Sequence, residues 1–197
     1  MTRPAWSVEQ HAFFFGQLAA ILGSTLEYDD MLQRMARLAV PFLGDLCAVD
    51  LLDAGGVIRR AACAHVDATK EGVAYEACAR HRHGAPGSRS VPAVVRSRRS
   101  VLVSPATATD LERAACNEEQ LDLFRQLGAT SWMVVPMIAR DSVLGTVTFA
   151  VTETDRRYGQ GDLQFAEAMV GQAATAGDNA RLYRAAEAGR AAAEAAN

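Results

Sequence analysis

The chain has no CxxC pair: its four cysteines, Cys47, Cys63, Cys78 and Cys116, are scattered. This argues against a structural zinc site and a disulfide framework, so a reduced, cytoplasmic protein is expected. Basic charge is not in excess either. Twenty Lys and Arg stand against 23 Asp and Glu, for a net charge of −3, and neither nucleic acid nor an anionic membrane surface is an expected partner. No apolar run approaches the roughly 18 residues of a membrane span. Met1-Thr2-Arg3-Pro4 leads into a segment broken by Glu9, Gln10, His11 and Gln17, which is unlike a signal peptide. Gly84-Ala85-Pro86-Gly87 lacks the lysine and threonine of a nucleotide loop. No Ser-His-Asp set and no close carboxylate pair in a loop is visible, so catalysis is not expected. There is no internal repeat.

What remains is a composition suited to a globular core. Half of the 197 residues are hydrophobic and 22% are charged, and a chain this long can bury roughly 70% of its unfolded surface. Ser7, with Gln10 three residues on, reads as a capping box opening a helix whose stripe is Phe14, Leu18 and Ile21. Its apolar arc is too wide to be solvated, so it needs the domain body or a second copy. A second helix spans about Tyr28 to Leu38, with Leu32, Met35, Ala36 and Ala39 on one stripe; Pro41 and Gly44 stop it. Leu46 to Leu52 reads as a strand covered on both faces, and Asp53-Ala54-Gly55-Gly56 as a hairpin turn into a strand from Val57 to Val66.

A helix from Ala68 to Arg80 comes next. Residues 80–99 carry Arg80, Arg82, Arg89, Arg96, Arg98, Arg99, His81 and His83 with no acid, and Gly84, Pro86, Gly87 and Pro92 mark part of this stretch as loop. Val101 to Val103 is a short strand and Glu118 to Leu127 a helix closed by Gly128. Trp132 to Ile138 and Leu144 to Thr152 form a hairpin around Arg140-Asp141. In its second strand Val147, Phe149 and Val151 alternate with Thr146, Thr148 and Ala150, so one face is greasy and the other mildly polar. From Gly161 on, Ala166, Met169, Val170, Ala173, Gly177 and Ala180 keep helical spacing, and an alanine-rich tail follows from Arg184 to Asn197. If continuous, this helix is roughly 50 Å long and projects beyond a small domain, which calls for a partner.

These segments resemble a known family. Leu46-Cys47-Ala48-Val49-Asp50-Leu51-Leu52-Asp53 is similar to the first strand of GAF domains, the small sensor modules of bacterial kinases, phosphatases and cyclases. Ser131-Trp132-Met133-Val134-Val135-Pro136-Met137 resembles the family's fourth strand, and Val143 to Phe149 the strand after it. Asp162-Leu163 and Asp178 to Tyr183 resemble its closing helix. The resemblance covers about residues 24–183. It implies an α+β fold, with a central antiparallel sheet of five or six strands. Terminal helices lie on one face, and a pocket roofed by helices and loops lies on the other. It also implies a division into an N-terminal dimerisation helix (1–23), a sensor domain (24–183) and an alanine-rich signalling helix or linker (184–197). Gly177 departs from the pattern, standing where the closing helix usually carries a bulky aliphatic. The cyclic-nucleotide signature Asn-Lys-Phe-Asp-Glu is missing, no cysteine precedes a histidine as in bilin-binding members, and the cysteines do not match the free methionine-sulfoxide reductase pattern.

The candidate ligand-pocket residues are Asp50, Cys63, His65, Leu121, Phe124, Trp132, Met137 and Thr148. Asp50, a charge inside an apolar strand, must be paired, hydrogen-bonded or protonated; it holds Arg59 or Arg60 across the hairpin, or reads a ligand's amine. His65 could ligate haem or donate to an anion, against the plainer reading of a partly exposed strand-end histidine. Cys47 and Cys63 read as small apolar filler more readily than as redox sensors. Leu121, Phe124, Trp132 and Met137 line a pocket or fill the core. Arg89 and Arg96 are the candidate anion contacts, against a solvated loop. No metal site is expected and no cofactor is required, haem being the one considered. Taken together, the expectation is a sensory input domain. It is a homodimer through its terminal helices, binds an unidentified small molecule and signals to an output module such as a histidine kinase. The alternatives are a ligand-free module serving only dimerisation, and a haem or redox sensor.

Overall fold

A computed structural model of the chain describes residues 7–24, 27–77 and 90–195. Helix α1 (Val8–Leu22) opens on the capping box read from the sequence. The Ser7 N–H donates to Gln10 Oε1 at 3.0 Å, and the Gln10 N–H donates to Ser7 Oγ at 3.2 Å. Its stripe buries Phe14 and Leu18 completely, with Phe14 in edge contact with Phe15 and Phe42 and tilted against Phe165. Helix α2 (Tyr28–Ala39) buries Leu32, Met35, Ala36 and Ala39, with Asp29 and Asp30 in its first turn, where they suit the helix dipole.

Strands β1 (Leu46–Leu52) and β2 (Ile58–His65) form the first hairpin. Its turn is held by the Asp53 carboxylate, which accepts the Val57 N–H at 2.8 Å, and Gly56 sits at φ 79°. Strands β3 (Val101–Val103), β4 (Ser131–Ala139) and β5 (Ser142–Val151) complete one antiparallel sheet in the order β2-β1-β5-β4-β3. Arg140 and Asp141 both take left-handed φ, 44° and 66°, a two-residue connection whose twist matches the strands it joins. At Gly145 the neighbouring backbone of β1 is so close that an added Cβ would sit 2.9 Å from Leu51 Cα.

The sheet has two differently covered faces. One packs on α1, α2 and the long closing helix α7 (Gln160–Ala195), with Cys47, Val49, Met133, Val135, Met137, Val147 and Phe149 pointing into that layer. The other is roofed by α3 (Glu71–Glu76, after a single 3-10 turn), α4 (Val91–Ser97), α5 (Ala108–Ala114) and α6 (Glu118–Leu127). The alternation in β5 therefore faces as its period of two requires: Val147, Phe149 and Val151 inward to the helical layer, Thr148 and Ala150 to the roof.

Three expectations are corrected. Pro92 does not mark a loop: it stands in the first turn of α4, where its missing N–H costs no hydrogen bond, and Ser90 caps that turn. Helix α5 was not expected. Its signal is the capping box of Thr107 and Asp110, short enough to pass for loop. The helix expected over Ala68 to Arg80 is a 3-10 turn plus six α-helical residues, and residues 78–89 lie outside the described segments.

Gly177 is resolved by packing. Tyr28 of α2 lies directly on it, and an added Cβ would meet the ring atoms at 2.6 and 2.7 Å. The bulky aliphatic of the resembling family is replaced here by a close approach between an aromatic ring and helix backbone. Helix α7 is 36 residues long, about 54 Å. Among the residues whose burial is described, Asp178 is the last buried one, and about 25 Å of helix follows it.

Candidate functional site

Between the sheet and its roof lies a cavity of about 80 Å³. Its floor is β1, β5 and β4 (Leu46, Ala48, Thr148, Ala150, Trp132, Val134), and its roof comes from α3, α4, α5 and α6. The local cause of the space is small side chains at facing positions. Ala48, Ala74, Ala77, Ala114, Ala129 and Ala150 all border it, and alanines cannot fill a layer that close packing would otherwise occupy. Trp132 and Phe124 supply the large apolar walls.

Among the described residues, the polar groups around the cavity are few. Arg60 borders it and is fully paired into the wall. Nε donates to Asp50 Oδ1 at 2.7 Å, Nη2 to Asp50 Oδ2 at 3.3 Å and Nη1 to the Ala74 carbonyl at 2.8 Å. Both side chains are about 1% exposed, so each neutralises the other where water cannot. Arg59, one residue earlier, points to the opposite face and pairs with Asp29 of α2 through two bonds of 3.0 and 3.1 Å. Gln120 bridges the roof, donating to the Ala77 carbonyl at 2.7 Å and accepting the Cys116 N–H at 2.7 Å. At one end, the Asp67 N–H donates to His65 Nδ1 at 2.9 Å, which makes Nδ1 the acceptor. His65 Nε2–H then donates to Thr152 Oγ1 at 3.0 Å. Thr152 in turn donates to Glu153 at 3.2 Å, and Lys70 to the same carboxylate oxygen at 2.5 Å. Lys70 beside Glu153 holds that carboxyl below its ordinary range.

The sequence-derived residues separate into groups. Phe124, Trp132 and Thr148 border the cavity. Asp50 stands behind it and holds Arg60. Cys63 is buried on the roof side of β2 and does not border the cavity. Leu121 is buried without reaching it. Met137 is corrected outright: odd-numbered β4 residues face α7, and Met137 lies in the helical layer on the far side of the sheet. His65 is corrected as well. It is 3% exposed rather than partly exposed, it does not border the cavity, and both ring nitrogens are engaged, so it does not fit an axial haem ligand. Arg96 is exposed on α4 and away from the cavity, and Arg89 lies outside the described residues. Cys47 and Cys63 face opposite sides of the sheet, and burial pushes the Cys47 thiol far up, which suits filler rather than a redox pair.

Residues missed from sequence are Arg60 as a wall, Gln120, Cys116 and Thr152. Arg60 was in reach through its pairing with Asp50. The others sit where loops meet elements and carry no periodic signal. Among the described residues there is no group of three His, Cys, Asp or Glu placed to hold a metal, and no helix is long and apolar enough to cross a membrane.

The fold is an antiparallel sheet with terminal helices behind it and a roofed apolar cavity in front. The family model described as "GAF domain" matches residues 25–177, and the chain belongs to that family of ligand-binding sensor and regulatory domains. Its fold is similar to the GAF domain of a phosphoenolpyruvate-protein phosphotransferase from Coxiella burnetii, at 15% identity and a TM-score of 0.68, covering 91% of this chain and 99% of that one. The corresponding Acinetobacter domain matches at 17% identity and a TM-score of 0.64, covering 90% and 97%. A free methionine-R-sulfoxide reductase from Neisseria meningitidis, in complex with its substrate, matches at 12% identity and a TM-score of 0.65, covering 93% and 97%. The fold is thus shared by regulatory domains and by at least one enzyme. No curated protein matches the chain significantly.

Proposed function

We propose that this domain is a sensory input module. A small molecule held between sheet and roof biases the position of α7, and a homodimer of terminal helices carries that bias to an output module such as a histidine kinase. The observation that carries the reading is the double role of β5. Thr148 and Ala150 border the cavity, while Val147 and Phe149, between and beside them, pack into the layer that contains α7. A ligand that shifts β5 shifts the surface on which α7 rests, provided it binds the two arrangements with different affinity.

Dimerisation is supported by exposed apolar side chains on both terminal helices, Val8 and Phe13 on α1 and Leu182 and Tyr183 on α7. It is also supported by the roughly 25 Å of α7 that follows Asp178, the last residue described as buried, since an isolated helix of this length is marginal in water. In the ligand-free alternative, the domain only pairs its copies.

Native mass spectrometry of protein purified from its own host separates these readings. A dimer carrying added mass is expected. A monomer at micromolar concentration refutes the helical relay. A dimer without added mass, whose cavity also excludes xenon, refutes the sensor reading and leaves pairing.

A further inference from the structure

We infer that the cavity takes a compact, uncharged, mostly apolar molecule bearing one carbonyl or hydroxyl, anchored by the Thr148 hydroxyl. This rests on the cavity reading above and adds the chemistry of the ligand. Arg60 is the one charged side chain bordering the space among the described residues, and Asp50 neutralises it at 2.7 Å. An incoming carboxylate or phosphate would have to displace a buried carboxylate that is already in place, leaving Asp50 charged in an apolar wall. The Gln120 amide is spent on Ala77 and Cys116, the Ser90 hydroxyl caps α4, and the Thr152 hydroxyl both accepts from His65 and donates to Glu153.

Thr148 is the exception. Its Oγ1 is buried, borders the cavity and meets no hydrogen-bond partner among the described residues. A buried hydroxyl without a partner is unfavourable, and it can either donate or accept, so a ligand carbonyl or hydroxyl satisfies it. The Cys116 thiol, also at the wall, is a weak partner by comparison. The remaining lining is alanine, leucine, valine and aromatic, which favours hydrocarbon. The volume of about 80 Å³ is below the roughly 150 Å³ of an apolar cavity that admits benzene, which sets the ligand as compact. Among the described residues the wall holds one arginine, Arg60, which is already paired, and Arg96, a candidate anion contact, does not border the space.

The test uses two probes of nearly equal shape. Acetone carries one carbonyl and no charge; acetate replaces one of its methyls with a charged oxygen, and both are smaller than benzene. Trp132 in the cavity wall reports binding by its emission, in full-length protein carrying Trp6→Phe so that it is the sole tryptophan. Xenon, followed by chemical-shift changes of the methyl groups that border the cavity, tests whether the space is accessible at all. The ketone is expected to bind saturably and at least tenfold more tightly than acetate. Thr148→Val, close to isosteric, is expected to weaken the ketone roughly three- to tenfold and leave xenon binding unchanged. Acetate binding as tightly as the ketone, and lost in Arg60→Met, overturns the neutral-ligand assignment while the cavity reading stands. Xenon entering while neither organic probe binds overturns the hydroxyl anchor. Exclusion of xenon overturns the cavity reading itself and the ligand class with it.

Discussion

Replacing Asp50 by asparagine leaves the Arg60 guanidinium charged in a wall where both side chains are about 1% exposed. Removing one partner of a buried pair costs about 3–5 kcal/mol, because the remaining charge cannot recover its hydration. Asparagine still offers one oxygen to Arg60, and the Ala74 carbonyl keeps its bond, so the low end of that range applies, about 3 kcal/mol. For a domain of this size each kcal/mol moves Tm by about 2–4 °C, which sets the expected fall at roughly 6–12 °C. The paired replacement Asp50→Leu with Arg60→Met removes both charges and should melt above either single variant, with a coupling of at least about 1 kcal/mol in a double-mutant cycle. Thermal and urea unfolding of the wild type, Asp50→Asn, Asp50→Leu, Arg60→Met and the double variant measure it. A shift below 2 °C for Asp50→Asn, with additive effects in the cycle, would falsify the claim that these charges neutralise each other out of water, and with it the argument for an uncharged ligand.

Other outcomes follow from single contacts. Gly177→Ala should lower Tm despite gaining roughly 1 kcal/mol of helix propensity, because the new Cβ meets the Tyr28 ring; in a Tyr28→Ala background the same change should raise Tm, and a matching sign in both backgrounds argues against the contact. Lys70 lowers the Glu153 carboxyl, so the folded value lies below the unfolded one. That contribution is complete above the ordinary carboxylate range and is lost as pH falls through the lowered value. Lys70→Met should therefore flatten the acid limb of Tm between about pH 5 and pH 3, and an unchanged limb would exclude the pair. Arg140, at the tip of the β4–β5 hairpin, reaches Asp178 of α7 at 3.0 Å. Arg140→Ala should speed amide hydrogen exchange around residues 176–182 more than in the first turns of α7. Phe13→Glu should shift sedimentation toward monomer if α1 lies in the dimer contact, and leave it unchanged if it does not.

The sequence by itself determined the features that depend on nearby residues. The Ser7–Gln10 box, the Gly128 stop, the Asp53–Gly56 turn and the period of two in β5 are local, and each appears where its residues placed it. The family resemblance worked for the same reason: it rests on strands whose register is set by alternation. Short capped helices such as α4 and α5 were hidden because seven residues give less than two turns of periodicity. The assembly of the wall belongs to tertiary structure. Which face of β4 looks at the cavity depends on pairing with β5 and on where α7 packs, which is why Trp132 borders the cavity and Met137 lies behind the sheet. Whether an arginine is available to a ligand depends on a carboxylate ten residues away, across a hairpin with a register shift between Val49 and Asp50. The six alanines that open the space come from five separate segments, and none of them signals a cavity on its own. Only their convergence between sheet and roof leaves a volume that close packing does not fill.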